Sequence, residues 1–165
     1  MSSETAKSII KRAVAFTSTL VFSLAIVNSM PTYKVRQQRH FAQAALDGNL
    51  YRMRLLHLAG ANVNPQDGCC APLFVAAATG KAEAVRYLLD QGADVNARNE
   101  FGHTALTEAT FNGNIAVIRE LLLRGAEINN VAVDGTALDL AIRRNNAAVA
   151  DLLKHYGGKR ADELH

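Results

Sequence analysis

The chain has 165 residues, 49% hydrophobic and 20% charged, with a formal net charge of +3. That is enough apolar material for one domain with a buried core, and it excludes a wholly disordered chain. The positive charge is concentrated at the front: residues 1–39 carry six basic residues and one acid, residues 40–165 carry 12 and 14, which excludes a large nucleic-acid footprint on the main body.

The first predicted element is an apolar helix. No residue from Ala13 to Tyr33 is charged, and Ala13–Met30 is the apolar run, preceded by Lys7, Lys11 and Arg12. A basic start followed by an apolar run is the pattern of a secretory signal or a membrane anchor. Length does not separate the two, because 18 residues is the lower edge for a spanning helix. Ser23/Ala25 and Val27/Ser29 supply small-residue pairs near its end. Lys34, Arg36 and Arg39 after the run balance the three basic residues before it, so the positive-inside rule assigns no topology. A third reading is a helix packed on the rest of the chain as a cap. Residues 1–33 are therefore taken as a signal or membrane-anchor segment. The expected location is a membrane, through a single N-terminal anchor, with export or secretion after cleavage as the alternative.

After this segment the chain repeats itself. Gly60-Ala61, Gly92-Ala93 and Gly125-Ala126 are spaced by 32 and 33 residues, and Gly157-Gly158 follows at 32. Gly48, Gly80, Gly113 and Asn145 recur at 32, 33 and 32, and Gly68, Gly102 and Gly135 at 34 and 33. Within one unit, Thr104 is placed to cap a short helix with its hydroxyl, with Leu106 and Ala109 facing inward. Gly113 ends that helix in the left-handed conformation of a C-cap. A second helix follows, with Val117, Ile118, Leu121 and Leu122 on one side, and Gly125 ends it. A unit of this size cannot bury its apolar side alone, so neighbours must stack. Ala76, Ala77, Ala109 and Ala141 permit close approach of adjacent helices.

The period near 33, the G-x-T-x-L opening (Gly102, Thr104, Leu106) and the closing LL-x-x-GA-D-V-N (Leu88, Leu89, Gly92 to Asn96) resemble ankyrin repeats. The resemblance covers residues 36–158 and implies an all-α repeat solenoid of helix-turn-helix units with short β-turn fingers, preceded by the N-terminal hydrophobic helix. Four units are read, 36–64, 65–97, 98–130 and 131–158, the outer two atypical as caps, with a polar tail at 159–165. The family's frequent T-P-L-H is degraded to APLF (Ala71–Phe74), TALT (Thr104–Thr107) and TALD (Thr136–Asp139), without the histidine that ties neighbouring loops. The opening around Gly68-Cys69-Cys70 is one residue longer than usual, so that finger is expected to be distorted.

Residues for chemistry are sparse. His40, His57, His103, His155 and His165 are scattered without metal-ligand spacing, and Gly80-Lys81 lacks the rest of a phosphate loop. Cys69-Cys70 reads as two small turn residues in preference to a reactive pair. The terminal Asp-Glu-Leu-His has the wrong order for a retention tail. No catalytic residue, metal, cofactor, small-molecule substrate or nucleic acid is expected. What the resemblance implies instead is a concave protein-binding face of fingers and first helices. On this chain its finger positions are Gln66, Asp67, Glu100, Phe101, His103, Val133 and Asp134. Its helix-end positions are Ala78, Thr79, Phe111, Asn112, Arg143 and Arg144. Phe101 and Phe111 fall where the family usually faces solvent, and exposed aromatics make anchors, although Phe111 folded onto its neighbour repeat fits equally well. Arg143-Arg144 suits an acidic partner, against the default of a solvated charged face. The expected function is a non-catalytic, membrane-anchored or exported adaptor that binds another protein. The alternative is an accessory or inhibitory subunit of a specific enzyme.

Overall fold

The computed structural model describes residues 31–65 and 71–164. The expected apolar helix at Ala13–Met30, the Gly68-Cys69-Cys70 opening and the candidates Gln66 and Asp67 lie outside the described residues. Eight α-helices follow in order: α1 (Pro31–Asp47), α2 (Leu50–Leu58), α3 (Pro72–Ala78), α4 (Ala82–Asp90), α5 (Ala105–Phe111), α6 (Ile115–Leu123), α7 (Ala137–Arg143) and α8 (Ala147–His155). A short 3-10 turn at Ala161–Glu163 follows α8. The chain divides into two compact units, Met1–Gln37 and Gln38–His165. Of the first, only the opening of α1 is among the described residues; the helix pairs belong to the second.

The pairs stack as the period requires. The first helices α3, α5 and α7 pack in one row, and the second helices α2, α4 and α6 in another. The first-helix row is narrow because its contact residues are alanines: Ala76, Ala77, Ala105, Ala109, Ala137 and Ala141 are all buried. Leu73, Leu106 and Leu138 are buried beside them, and the second helices add further large side chains. Met53, Val85 and Ile118 occupy one equivalent position and Leu88, Leu121 and Leu153 another, and all six are fully buried. Each such side chain stabilises the stack by about 1.5–3 kcal/mol. The all-α solenoid is thus as expected. Among the described residues the only extended pairing outside helices is the isolated bridge Ala132–Gly135 in the last finger.

Local signals act where the sequence puts them. The Thr104 hydroxyl accepts from the Thr107 N–H, and the Thr107 hydroxyl lies 2.8 Å from the Thr104 nitrogen, a reciprocal cap on α5. Thr136 and Asp139 repeat the arrangement at α7. Gly80 and Gly113 end α3 and α5 with φ near +72°. They meet a second constraint as well: a Cβ at Gly80 would lie 2.8 Å from the Asn114 side chain, and one at Gly113 would lie 2.8 Å from that of Asn146. The fourth repeat has Asn145 here, also left-handed at φ 53°, a conformation asparagine tolerates better than most residues.

The repeats are tied by amide side chains in place of the missing histidines. Asn64 donates to the Gly92 carbonyl at 2.8 Å and accepts from the Asp94 N–H at 2.9 Å. Asn96 does the same to Gly125 and Glu127, and Asn129 to Gly157 and Lys159. Each asparagine therefore satisfies two loop backbone groups of the following repeat. At the front, Gln38 of α1 takes the same role, bridging the carbonyl and N–H of Asn62 at 2.8 and 2.9 Å.

Two boundaries are set by what the ends of the chain pack against. Helix α1 begins at Pro31, inside the segment 1–33, and replaces the short first helix of the other repeats with 17 residues. The tail read as 159–165 is folded along residues 159–164. The Lys159 carbonyl accepts from the Thr136 hydroxyl at 2.8 Å, the Ala161 N–H donates to Asp139 at 2.9 Å, and the Arg160 guanidinium reaches Asp139 at 3.2 Å. Burial alone would raise the Asp139 pKa. The N–H groups of Thr136 and Ala161, the Thr136 hydroxyl and Arg160 outweigh it and hold the carboxyl below its ordinary range.

Candidate protein-interaction face

The candidate face is built from the last two fingers and the C-terminal ends of α5 and α7. In the first of these fingers Asn99 accepts from the N–H groups of Phe101 and His103 at 3.0 and 2.9 Å. That local turn lifts Phe101 outward, 53% exposed. In the next finger Val133 is 72% exposed, and its N–H donates to the Phe101 carbonyl at 3.2 Å. The backbone bond joins the two fingers at these exposed apolar residues, on neighbouring repeats.

Beneath them lies a charged cluster. The two ring nitrogens of His103, largely covered, stand 3.4 Å from Glu108 and 3.3 Å from Asp134. The ion pairs exist only when the ring is protonated, and the buried Nε2 is not aligned for a hydrogen bond. Asp134 also receives Arg143: the guanidinium donates to its carbonyl and lies 3.9 Å from its carboxylate. At the helix ends, Arg144 reaches back one repeat and lays its guanidinium 3.5 Å from the centre of the Phe111 ring, a cation–π contact worth about 0.5–1 kcal/mol at an exposed site. Phe111 keeps 49% of its surface exposed.

Among the sequence candidates, Phe101, His103, Val133, Asp134 and Arg143 form one connected group, with Phe111 and Arg144 a second pair beside α7. Neither arginine extends freely as a recognition side chain: Arg143 braces the finger of its own repeat through Asp134, and Arg144 lies on Phe111 of the repeat before. Glu100 is exposed. The exposed Asn112 donates to the Glu108 carbonyl at 3.0 Å, and Thr79 returns its hydroxyl to the Val75 carbonyl at 2.8 Å. Ala78 is half-buried on α3. The sequence reading missed Glu108, Val131 and Ile142. Val131 and Ile142 are exposed. Ile142 occupies the position of Ala77 and Thr110, which are buried, so the sequence pattern alone assigns it to the core. Among the described residues no three His, Cys, Asp or Glu side chains converge as a metal site, and no helix is long and apolar enough to cross a membrane.

Comparison with known proteins agrees with this architecture. The family model described as ankyrin repeats (3 copies) matches residues 41–132. The serine/threonine-protein kinase TNNI3K of Mus musculus is 38% identical over 93 residues, covering 50% of this chain and 11% of that protein. The probable E3 ubiquitin-protein ligase XBOS33 of Oryza sativa subsp. japonica is 42% identical over 83 residues, covering 48% and 16%. An ankyrin repeat and KH domain-containing protein of Caenorhabditis briggsae is 35% identical over 137 residues, covering 76% and 5%. The chain thus spans no more than 16% of the length of these three relatives. With the glycine period, the paired helices and the family match in agreement, the chain belongs to the ankyrin-repeat family, whose repeats serve as protein-interaction modules.

Proposed function

We infer that this chain is a non-catalytic adaptor that binds another protein through the last two fingers and the ends of α5 and α7. The observation that carries the reading is the Phe101–Val133 pair: two exposed apolar residues on fingers already joined by an inter-repeat backbone hydrogen bond. Such a surface loses little conformational entropy on binding, and the aromatic supplies the kind of buried anchor that dominates interface energetics. His103, Asp134 and Arg143 form the polar border beside the pair. Attachment to a membrane or export through Ala13–Met30 is part of the proposal and rests on the basic start and the uncharged run of the sequence.

A photo-crosslinking amino acid at position 101, compared with one at the outer-helix position Arg119, tests the face. The reading requires a discrete partner adduct at 101 and none at 119; the reverse pattern overturns it. The intact mass of the protein in membrane and soluble fractions tests the N-terminal segment. A full-length mass at the membrane supports the anchor, a soluble mass shortened by about 25–30 residues a cleaved signal, and a soluble full-length chain neither.

A further inference from the structure

The outer helix of the first repeat presents a surface that the adaptor function does not use. On α2, Tyr51, Leu55 and Leu58 follow at spacings of four and three residues, which places them on one stripe. Met53, buried in the core, stands on the opposite side of the helix. The three stripe side chains are 72%, 49% and 86% exposed. Arg52 and Arg54, both exposed, flank the stripe, one on each side. Helix α2 contains no acidic residue.

This composition is particular to the first repeat. The positions of Tyr51, Leu55 and Leu58 are occupied by Glu83, Tyr87 and Asp90 in α4 and by Ala116, Glu120 and Leu123 in α6. There Asp90 and Glu120 form a network with Arg86 and Arg124 across the outer helices, so that charges pair with one another at these positions. The charge follows the same division. Residues 34–59 hold five basic residues and one acid, a net of +4, whereas residues 60–165 hold ten and 13, a net of −3.

We propose that α2 is a membrane-surface contact: Tyr51, Leu55 and Leu58 insert shallowly among lipid headgroups while Arg52 and Arg54 pair with anionic phosphates. An exposed apolar strip bordered by arginines, on a helix without carboxylates, matches the apolar and anionic layers of such an interface. A second copy is disfavoured as occupant, because two copies meeting through α2 would set Arg52 and Arg54 against their own counterparts. The strip is also small beside the roughly 800 Å² per partner of a stable protein interface, but a bilayer surface accepts shallow insertion without a complementary pocket. The contact uses residues of the repeat stack and does not depend on the fate of Ala13–Met30, nor on a protein partner at Phe101.

The test compares two equivalent outer-helix positions in the full chain. With Cys69→Ser and Cys70→Ser in the background, Leu58→Cys and, separately, Leu123→Cys carry an environment-sensitive dye. Each is mixed with phosphatidylcholine vesicles containing or lacking phosphatidylserine, with a nitroxide quencher on the lipid. Both leucines are exposed, so neither label disturbs the core, and matching thermal melts verify this. The proposal requires a blue shift and quenching at 58 with anionic vesicles, little at 123, and loss of the signal at about 1 M salt, where screening acts over roughly 3 Å. Arg52→Gln and Arg54→Gln should each lower partitioning about fivefold. Equal signals at the two positions, or co-flotation without a signal at 58, overturn it, since the chain then attaches elsewhere. A blue shift at 58 without vesicles overturns it in favour of cover by the chain itself, and one that rises with protein concentration in favour of a second copy.

Discussion

The two ends of the repeat stack are finished with different chemistry. At the front, a neutral amide, Gln38, bridges the Asn62 backbone, and the neighbouring outer helix leaves apolar side chains and arginines exposed. At the back, an ionised carboxylate does the work: Asp139 gathers Thr136, Arg160 and the Ala161 N–H, and Thr136 holds the Lys159 carbonyl. Between the two ends each loop receives an asparagine from the repeat before it, the last from Asn129. The difference teaches that a repeat's end must supply the bonds a neighbour would have given, and that the choice of chemistry fixes which conditions loosen that end.

Both ends depend on a common interior, and the largest expected effect tests that. Leu121→Ala removes a fully buried side chain and should cost about 3 kcal/mol, read by urea denaturation. Loss confined to one end by hydrogen exchange would break the comparison at its base. Asp139→Ala should cost about 1–2 kcal/mol and release residues 159–164 and the α7 amides, leaving Gln38–Asn62 intact. Acid should act in the same sense. The folded-state pKa of Asp139 is lowered, so its contribution is complete above the unfolded value of about 3.9 and is lost as pH falls through the folded value. Protection from hydrogen exchange at the C-terminal end, relative to the intrinsic rate, should therefore fall below about pH 4 in an Asp139-dependent manner, and Asp139→Asn should remove that dependence. Asn96→Ala, in the interior, should cost about 1 kcal/mol and weaken the coupling between the second and third repeats. Gln38→Ala is the smallest, about 0.5 kcal/mol, and confined to the first repeat. If it equals the Asp139 effect, the two ends are closed with equal strength and the contrast fails.

Much of this architecture is legible in the sequence, because periodicity reports positions. The glycine period, the inward Leu106 and Ala109, and the Thr104 cap all stand where the residues imply. The exposure of Phe101 and Val133 also follows from finger positions. What periodicity does not report is partners. Asn64, Asn96 and Asn129 recur at 32 and 33 residues, a signal as plain as the glycines. Their bonds, however, run to backbone groups about 30 residues away and are defined only once the repeats stack. The same holds for Arg144 over Phe111, a long side chain that reaches across a spacing the sequence does not state. Arg160 and Ala161 read as a polar tail because nothing local marks Asp139 as their destination.

The crowding at Gly80 and Gly113 bears on how such an array can be lengthened or shortened. A copy of the third or fourth unit added after the fourth would bring the counterpart of Asn114 or Asn146 against position 145. Asn145 carries the Cβ that Gly80 and Gly113 lack, so duplication at that point must be accompanied by Asn145→Gly. Excision of the third unit joins Gly80 to Asn146 instead and recreates a pairing already present. Excising the third unit is thus a one-step change and extending the array at its C-terminal end a two-step one, an asymmetry set by a single β-carbon.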